Sequence, residues 1–454
     1  MVMKLRRLKM MDNSKMKCYN TDRSGMFGQA SEIVFPKNVE EVKNAVFNSQ
    51  NVVPRGLGSS LVGGCVPSNS LVIDMKGMNE INFDFKSRIV HVGAGVTITE
   101  LNERLRSIGY EFPIFGEGTI GGMIATNYPS LMGIYGNIED WIEELEFVNG
   151  RGEILKFTKS DIGEVCGLEG STGIITSARL NVISLVQKSA SIFQSLDLEE
   201  IFVMAKRLRL EKSVIMLRLY SPYFSKLLGF PEKYHIIIFF DNNHGKIRGN
   251  DYLKLFEKIR KDYYFMHQEG YKDSEDPKFL LEKIREFILL LDKFNIPYCG
   301  DLNLGIIFPY FNNSLKMNEI IKIIERMNGV PGKYGIGIKR KDRVDGLQKK
   351  IIRRIKLRHD PFLKMNRGKL IDIEDSNTGD VSSEPINARN IKENIKENIK
   401  ENIKENIGKV TINDNLDRAD KPSRSDNSPN IDRSLMDKII FNKDSKEEDE
   451  NDSN

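Results

Sequence analysis

The stretch Pro54–Pro67, P-R-G-L-G-S-S-L-V-G-G-C-V-P, decides how the rest of this 454-residue chain reads. Four glycines (Gly56, Gly58, Gly63, Gly64) and two hydroxyls (Ser59, Ser60) follow the short apolar run Asn51–Val53, which reads as the end of a strand. Glycine adopts positive φ without steric penalty and brings no Cβ, so such a loop can turn several main-chain N–H groups toward one point and let an anion approach. Gly58 and Gly63 have the spacing of a nucleotide-triphosphate loop, but Gly64 stands where that loop needs lysine, and no G-x-G-x-x-G occurs. Both common nucleotide fingerprints fail, and taken alone the loop reads as no more than a turn.

The flanking sequence gives the loop a setting. Ser31–Phe35 alternates as a strand, and Asn38 with Glu41 opens a helix running to about Gln50, so a β-α-β unit leads into the glycines. Leu71–Asp74 and Arg88–Val92 read as strands, and Thr97 with Glu100 caps a helix whose Ile98, Leu101, Leu105 and Ile108 share one face until Gly109. Glu143–Val148, Asn149-Gly150 and Glu153–Phe157 form a hairpin pattern. Strands alternate with few helices, which predicts an α+β fold. Further on, Leu198–Leu208, Tyr252–Phe265, Phe279–Phe294, Met317–Met327 and Leu347–Arg358 read as helices; Val214–Tyr220, His235–Phe240 and Leu302–Phe308 read as strands.

Three more segments join the loop: T-I-G-G-M-I-A-T-N (Thr119–Asn127) with G-I-Y-G (Gly133–Gly136), G-L-E-G-S-T-G-I-I-T (Gly167–Thr176), and D-P-F-L-K-M-N-R-G-K (Asp360–Lys369). Four in this order resemble the FAD-linked oxidases of the vanillyl-alcohol oxidase and p-cresol methylhydroxylase class, which includes glycolate oxidase and D-lactate dehydrogenase flavin subunits. The resemblance covers residues 24–372. It implies a two-part FAD-binding domain over 24–187, a smaller and abbreviated α+β cap over 188–340, and a segment 341–372 returning to the FAD domain. The cofactor-binding residues it implies are Arg55, Gly56, Leu57, Gly58, Ser59, Ser60 and Gly63 in the loop, with Arg55 pairing with a phosphate. It adds Thr119, Ile120, Gly121, Gly122, Thr126, Asn127, Tyr135 and Gly136 around the ring and ribityl chain. Glu169, Gly170, Gly173, Ile174 and Ile175 follow in the third segment, and Asn366 and Lys369 in the fourth. Leu57, Ser59 and Ser60 occupy the positions where the family often has an attaching histidine, so the FAD is expected to be noncovalent.

The same resemblance implies oxidation of a small 2-hydroxy acid by hydride transfer to flavin N5. The metal-using members carry H-x-G-D-G-N-L-H and E-H-G. Here Y-C-G-D-L-N-L-G (Tyr298–Gly305) and K-Y-G (Lys333–Gly335) stand in their places, so Tyr298, Gly305 and Tyr334 replace the histidines and no metal is expected. Tyr334 and Tyr298 are then candidate acid–base groups, and Lys333 or Arg218 candidate carboxylate holders. The lost histidines leave a second reading open, a non-catalytic FAD-binding or electron-transfer subunit of a glycolate oxidase-like complex.

Composition bounds the remainder. From Ile373 onward 13 Lys+Arg stand against 20 Asp+Glu, so the first 372 residues carry a net +11. A basic body suits nucleic acid, anionic lipid or a phosphorylated cofactor, and only the cofactor has motifs behind it. Nucleic acid is not expected; a hydroxy-acid substrate is, with a partner subunit or membrane quinone as acceptor. Four scattered cysteines without C-x-x-C argue against zinc, iron–sulfur clusters and a disulfide framework. With no signal peptide core and no 18-residue apolar run, the expected location is cytoplasmic, with peripheral contact at the inner membrane face left open. The tail 373–454, with N-I-K-E repeats from Asn390 to Glu405, has too little apolar content to offset chain entropy and is expected to be disordered.

Overall fold

The computed structural model describes residues 7–8 and 17–373, apart from 131, 330, 331, 333 and 334. The tail expectation, from residue 374 on, lies outside the described residues, as do Lys333 and Tyr334.

The chain opens on a four-stranded sheet, order β1-β2-β4-β3, of Arg7–Leu8 (β1), Gln29–Val34 (β2), Val52–Arg55 (β3) and Ser68–Asp74 (β4). Helix α1 (Val39–Phe47) connects β2 to β3 and starts where the Asn38 side chain accepts from the Glu41 N–H, as the sequence predicts. Both β2 and β3 run parallel to β4, which lies between them, so the glycine loop leaves the carboxyl end of a parallel strand.

A second sheet, order β5-β6-β10-β8-β9, is antiparallel and comprises Ile81–Asp84, Ile89–Gly93, Gly173–Asn181, Ile142–Asn149 and Ile154–Thr158 in that order. Tyr110–Glu111 (β7) and Ile183–Ser184 (β11) form a short pair beside it. Against the sheets lie α2 (Ile98–Arg106), held by the full Thr97/Glu100 capping box, and the short α3 (Ile120–Ala125). One apolar core joins both sheets and these helices, with Val46, Ile73, Leu101, Ile124, Phe147 and Ile174 at 1 % exposure or less.

The remaining strands form one antiparallel sheet of seven, β15-β12-β14-β13-β17-β18-β16. They are Ser189–Ser195 (β12), Val214–Tyr220 (β13), Tyr234–Phe240 (β14), Ile247–Arg248 (β15), Asp273–Ser274 (β16), Tyr298–Asp301 (β17) and Ile306–Phe311 (β18). On one face pack α4 (Leu198–Leu208), α8 (Leu281–Lys293) and α9 (Ser314–Arg326). On the other, past the short α5 (Pro222–Leu227), lie α6 (Gly249–Arg260) and α7 (Asp262–Gln268), and Phe115 and Met132 from the first part of the chain reach the same cluster. The two parts therefore share a packed seam.

The expected strand Leu302–Phe308 is corrected. Residues 302–305 form the turn between β17 and β18, closed by Gly305 at φ +72°, and both Asn303 and Leu304 N–H groups bond to the Asp301 carboxylate. The apolar Leu302 and Leu304 mask that turn in a linear reading.

Finally α10 (Gly346–His359) and its successor return to the first part. The Lys356 ammonium reaches the carbonyls of Ser171 (2.7 Å) and Met365 (2.9 Å), and the Asn366 amide reaches those of Gly64 (3.0 Å) and Glu169 (2.6 Å).

Candidate functional site

The glycine loop is built by its own polar groups. Ser60 Oγ accepts from the N–H groups of Val62 (3.3 Å) and Gly64 (2.8 Å), folding the second half back on the first. Arg55, expected to pair with a phosphate, instead aims its terminal nitrogens at the carbonyls of Thr21 (2.9 Å) and Cys18 (2.9 Å). It is 8 % exposed and lies beneath Gly58, whose φ of +71° no other residue would adopt without strain. What remains is a row of donors: among the described residues, the main-chain N–H groups of residues 57 to 61 enter no hydrogen bond.

These donors open into a cavity of about 420 Å³. One wall is the loop itself; a second is formed by Gly116–Thr119, Gly121, Gly122, Thr126 and Tyr128; a third by Glu169, Gly170 and Gly173–Ile175. Asn366 closes it from the returning segment. Of the expected cofactor residues, Gly63, Ile120, Asn127, Tyr135, Gly136 and Lys369 do not line it. Ile120 is buried in the core, Asn127 bonds the Glu139 N–H, and the Tyr135 carbonyl accepts from the Trp141 indole. Lys369 lies behind Asn366, donating to its side-chain oxygen, and burial brings its ammonium down to about 8. Cys65, Met75 and Ala94 line the cavity and gave no sign of it in the sequence.

Glu169 works as a latch. At φ +50° it is turned so that its buried carboxylate accepts from the N–H groups of Ile336 and Gly337, the latter at 2.8 Å, and burial raises its proton affinity against those bonds. This ties the third wall to the segment behind the cap.

The far end of the cavity is the inner face of the seven-stranded sheet. Arg218 on β13 lies directly across from Asp301 on β17, and both line the cavity. The Arg218 Nε and Nη2 bond the Asp262 carboxylate at 3.2 and 2.8 Å, while Nη1 enters no hydrogen bond among the described residues. Tyr220 also donates to Asp262, at 2.6 Å. Burial pushes the Asp301 carboxyl up to about 7, opposed by the two turn N–H groups and by Arg218 and Arg209. Tyr298, proposed from sequence as an acid–base group, is corrected here. Alternation along β17 turns it to the opposite face, where it is fully buried and its hydroxyl bonds Asp292 at 3.3 Å. Gly305 offers no side chain, and among the described residues no group of three or more His, Cys, Asp or Glu is placed to hold a metal ion.

Contacts across the mouth join the two parts. Arg23 pairs with Glu117 at 2.8 Å and stands over the Tyr264 ring, and Arg260 donates to Thr99 at 3.1 Å.

Residues 30–158 match the family described as FAD binding domain. The chain carries an FAD-binding domain. The donor row fits that cofactor: consecutive N–H groups without acceptors, at the mouth of a glycine-walled cavity, are what a pyrophosphate requires. Residues 57–61, the Gly121/Gly122 wall and the Gly170–Ile175 wall would hold it. Among relatives, the chain is 32 % identical over 168 residues to the D-lactate dehydrogenase of Archaeoglobus fulgidus, covering 33 % of this chain and 38 % of that protein. It is 31 % identical over 176 residues to the glycolate oxidase subunit GlcD of Bacillus subtilis, covering 34 % and 37 %. The matched portion thus spans less than two fifths of these relatives. In fold, it superposes on an alkyldihydroxyacetonephosphate synthase with TM-score 0.61 at 18 % identity, covering 78 % of this chain and 81 % of that one. At that coverage the likeness of fold extends well beyond residues 30–158.

Proposed function

We propose that this chain is an FAD-dependent oxidoreductase that oxidises a small 2-hydroxy acid, its FAD-binding part at 24–187, its cap at 188–340 and the returning segment at 341–372. One observation carries the reading: a single cavity runs from the loop's unpaired N–H groups to Arg218, a buried cation with an unused donor. Bound in the cradle, FAD would supply a hydride acceptor. The chain's own residues do the rest. The loop N–H groups bind the phosphates, the glycine walls admit a flat ring, and Arg218 Nη1 takes the substrate carboxylate. Leu304, Ile306 and Phe308 give the substrate end of the cavity an apolar wall that excludes water. Lactate, hydroxyglutarate and glycolate, after which relatives are named, all carry a carboxylate beside the reacting alcohol.

The purified chain is expected to be yellow, and glycolate, D-lactate or D-2-hydroxyglutarate is expected to bleach it anaerobically. The displaced Tyr298 and the side-chain-free Gly305 favour a second reading, the non-catalytic companion subunit, which predicts colour without bleaching. For the acceptor we favour a partner subunit or a membrane quinone, and a cytoplasmic location with peripheral membrane contact. Among the described residues no helix is long and apolar enough to cross a membrane.

A further inference from the structure

Oxidation of an alcohol needs somewhere for the hydroxyl proton to go, and Tyr298 is buried on the opposite face of the sheet while Gly305 has no side chain to offer. We propose that Asp301 is the base that takes the proton from the substrate hydroxyl, with Arg218 beside it holding the substrate carboxylate. The proposal rests on the hydroxy-acid reading above.

Geometry carries it. Asp301 ends β17 at the cavity wall and is 2 % exposed. Its Oδ1 is fixed by the N–H groups of Asn303 (2.8 Å) and Leu304 (3.1 Å), whereas Oδ2 has no hydrogen-bond partner among the described residues. An unpartnered buried carboxylate oxygen is costly, and such groups call for a specific explanation; a ligand hydroxyl donating to Oδ2 supplies one. The register sets Asp301 directly opposite Arg218, so a carboxylate on Arg218 Nη1 brings its adjacent hydroxyl to the neighbouring position on the same sheet face.

Of the other acidic side chains at this end, Glu275 is paired bidentately with Arg343 and Asp276 bonds Arg340. Asp262 spends its Oδ2 on Arg218 and Tyr220; its Oδ1, like Asp301 Oδ2, enters no hydrogen bond among the described residues, but this carboxylate is the direct ion-pair partner of Arg218, which ties it to the cation rather than to the substrate hydroxyl. Arg218 and Arg209 are the cations that act on Asp301; Cys299 accepts from Arg218 Nη2 at 2.9 Å, and Tyr310 lines the same cavity. A carboxyl titrating near 7 is suited to a base at neutral pH. In the step itself, the substrate O–H bond breaks toward Oδ2 and Asp301 becomes a carboxylic acid. C2 forms its second bond to oxygen and gives up its hydrogen with the electron pair to the oxidised flavin, leaving a 2-oxo acid.

The test uses the full chain with FAD bound. Anaerobic flavin reduction by whichever hydroxy acid bleaches the wild type is followed by stopped flow from pH 5 to 9, for wild type and Asp301→Asn. The wild-type rate is expected to rise through about pH 7 and level above it. Asp301→Asn is expected to lose about 10²–10⁴-fold in rate at every pH. FAD affinity by fluorescence quenching and the affinity for the 2-oxo acid product are expected to stay within threefold. A second readout needs no turnover: ¹³C-aspartate NMR of the apoprotein should show a carboxyl titrating near neutrality that the variant lacks. A variant reduced within tenfold of a normally reduced wild type overturns the base assignment alone. A wild type reduced by no hydroxy acid overturns the oxidation reading and the base with it. Should Asp301→Asn fail to fold, a flat wild-type pH profile, or a carboxyl titrating near 4, overturns the assignment.

Discussion

At the cradle end of the cavity polarity comes from the main chain: five N–H groups in a loop whose side chains are glycine, serine or apolar. At the cap end it comes from side chains, Arg218, Asp262 and Asp301, held on neighbouring strands and one helix start and each nearly sealed from water. A main-chain site is set by backbone conformation and tolerates changes that leave φ and ψ alone. A side-chain site of buried charges is a coupled set, in which removing one member strands the others.

That difference predicts opposite responses. Arg218→Met leaves Asp262 and Asp301 buried without their cation and should destabilise the chain by about 3–5 kcal/mol in urea unfolding, with FAD affinity little changed. Adding Asp262→Asn to it should restore most of that loss, because the pair leaves together. If the single and double variants are equally unstable, the cap end is not a coupled charge set.

Gly58→Val strikes the cradle instead. Its φ of +71° is strained for valine, and the new Cβ meets the Arg55 guanidinium, which cannot swing aside while bonded to Thr21 and Cys18. Backbone strain of about 1–3 kcal/mol corresponds to roughly a ten- to hundredfold loss of FAD affinity by fluorescence titration. The seven-stranded sheet should unfold as before.

The same contrast explains which parts were legible in the sequence. Local signals transferred directly: the Asn38 and Thr97 caps, the hairpin at Asn149-Gly150, and the bounds of Leu198–Leu208 and Val214–Tyr220 all depend on neighbours along the chain. The glycine loop was equally visible, since its positive-φ turn is written in the glycines themselves. Asp301 was in view within Y-C-G-D-L-N-L-G, yet nothing linear shows that β13 and β17 pair in the register that sets it against Arg218. Tyr298 misled for a related reason, because the face it takes depends on where the strand begins. Arg55 misled because its partners, the carbonyls of Cys18 and Thr21, come from a preceding segment with no motif.

Glu169 belongs to both regions, being a side chain that fixes backbone. Glu169→Gln keeps the shape but gives up the carboxylate that accepts from Ile336 and Gly337 and exposes neither group to water. The expected loss is about 1–2 kcal/mol in unfolding, with a few-fold weaker FAD binding because the third wall loosens. A loss confined to stability would separate the latch from the cradle.

The pH dependence of stability at Asp301 probes the cap end without touching the cradle. Its folded carboxyl, raised to about 7, binds protons more tightly than the unfolded one near 4, so between these values the folded state holds more protons. Stability from this group therefore falls as pH rises from about 4 to about 7 and is level above, the reverse of a salt-bridged aspartate. Asp301→Asn removes the titration, so its unfolding free energy relative to wild type should climb across that window, by about 2–3 kcal/mol between pH 5 and pH 8, with Tm following. A variant more stable yet far slower would show a carboxylate kept in an unfavourable place for the chemistry it performs. A variant whose relative Tm is flat with pH would mean the carboxylate is solvated, and the cap end would then resemble the cradle more closely than the buried charges suggest.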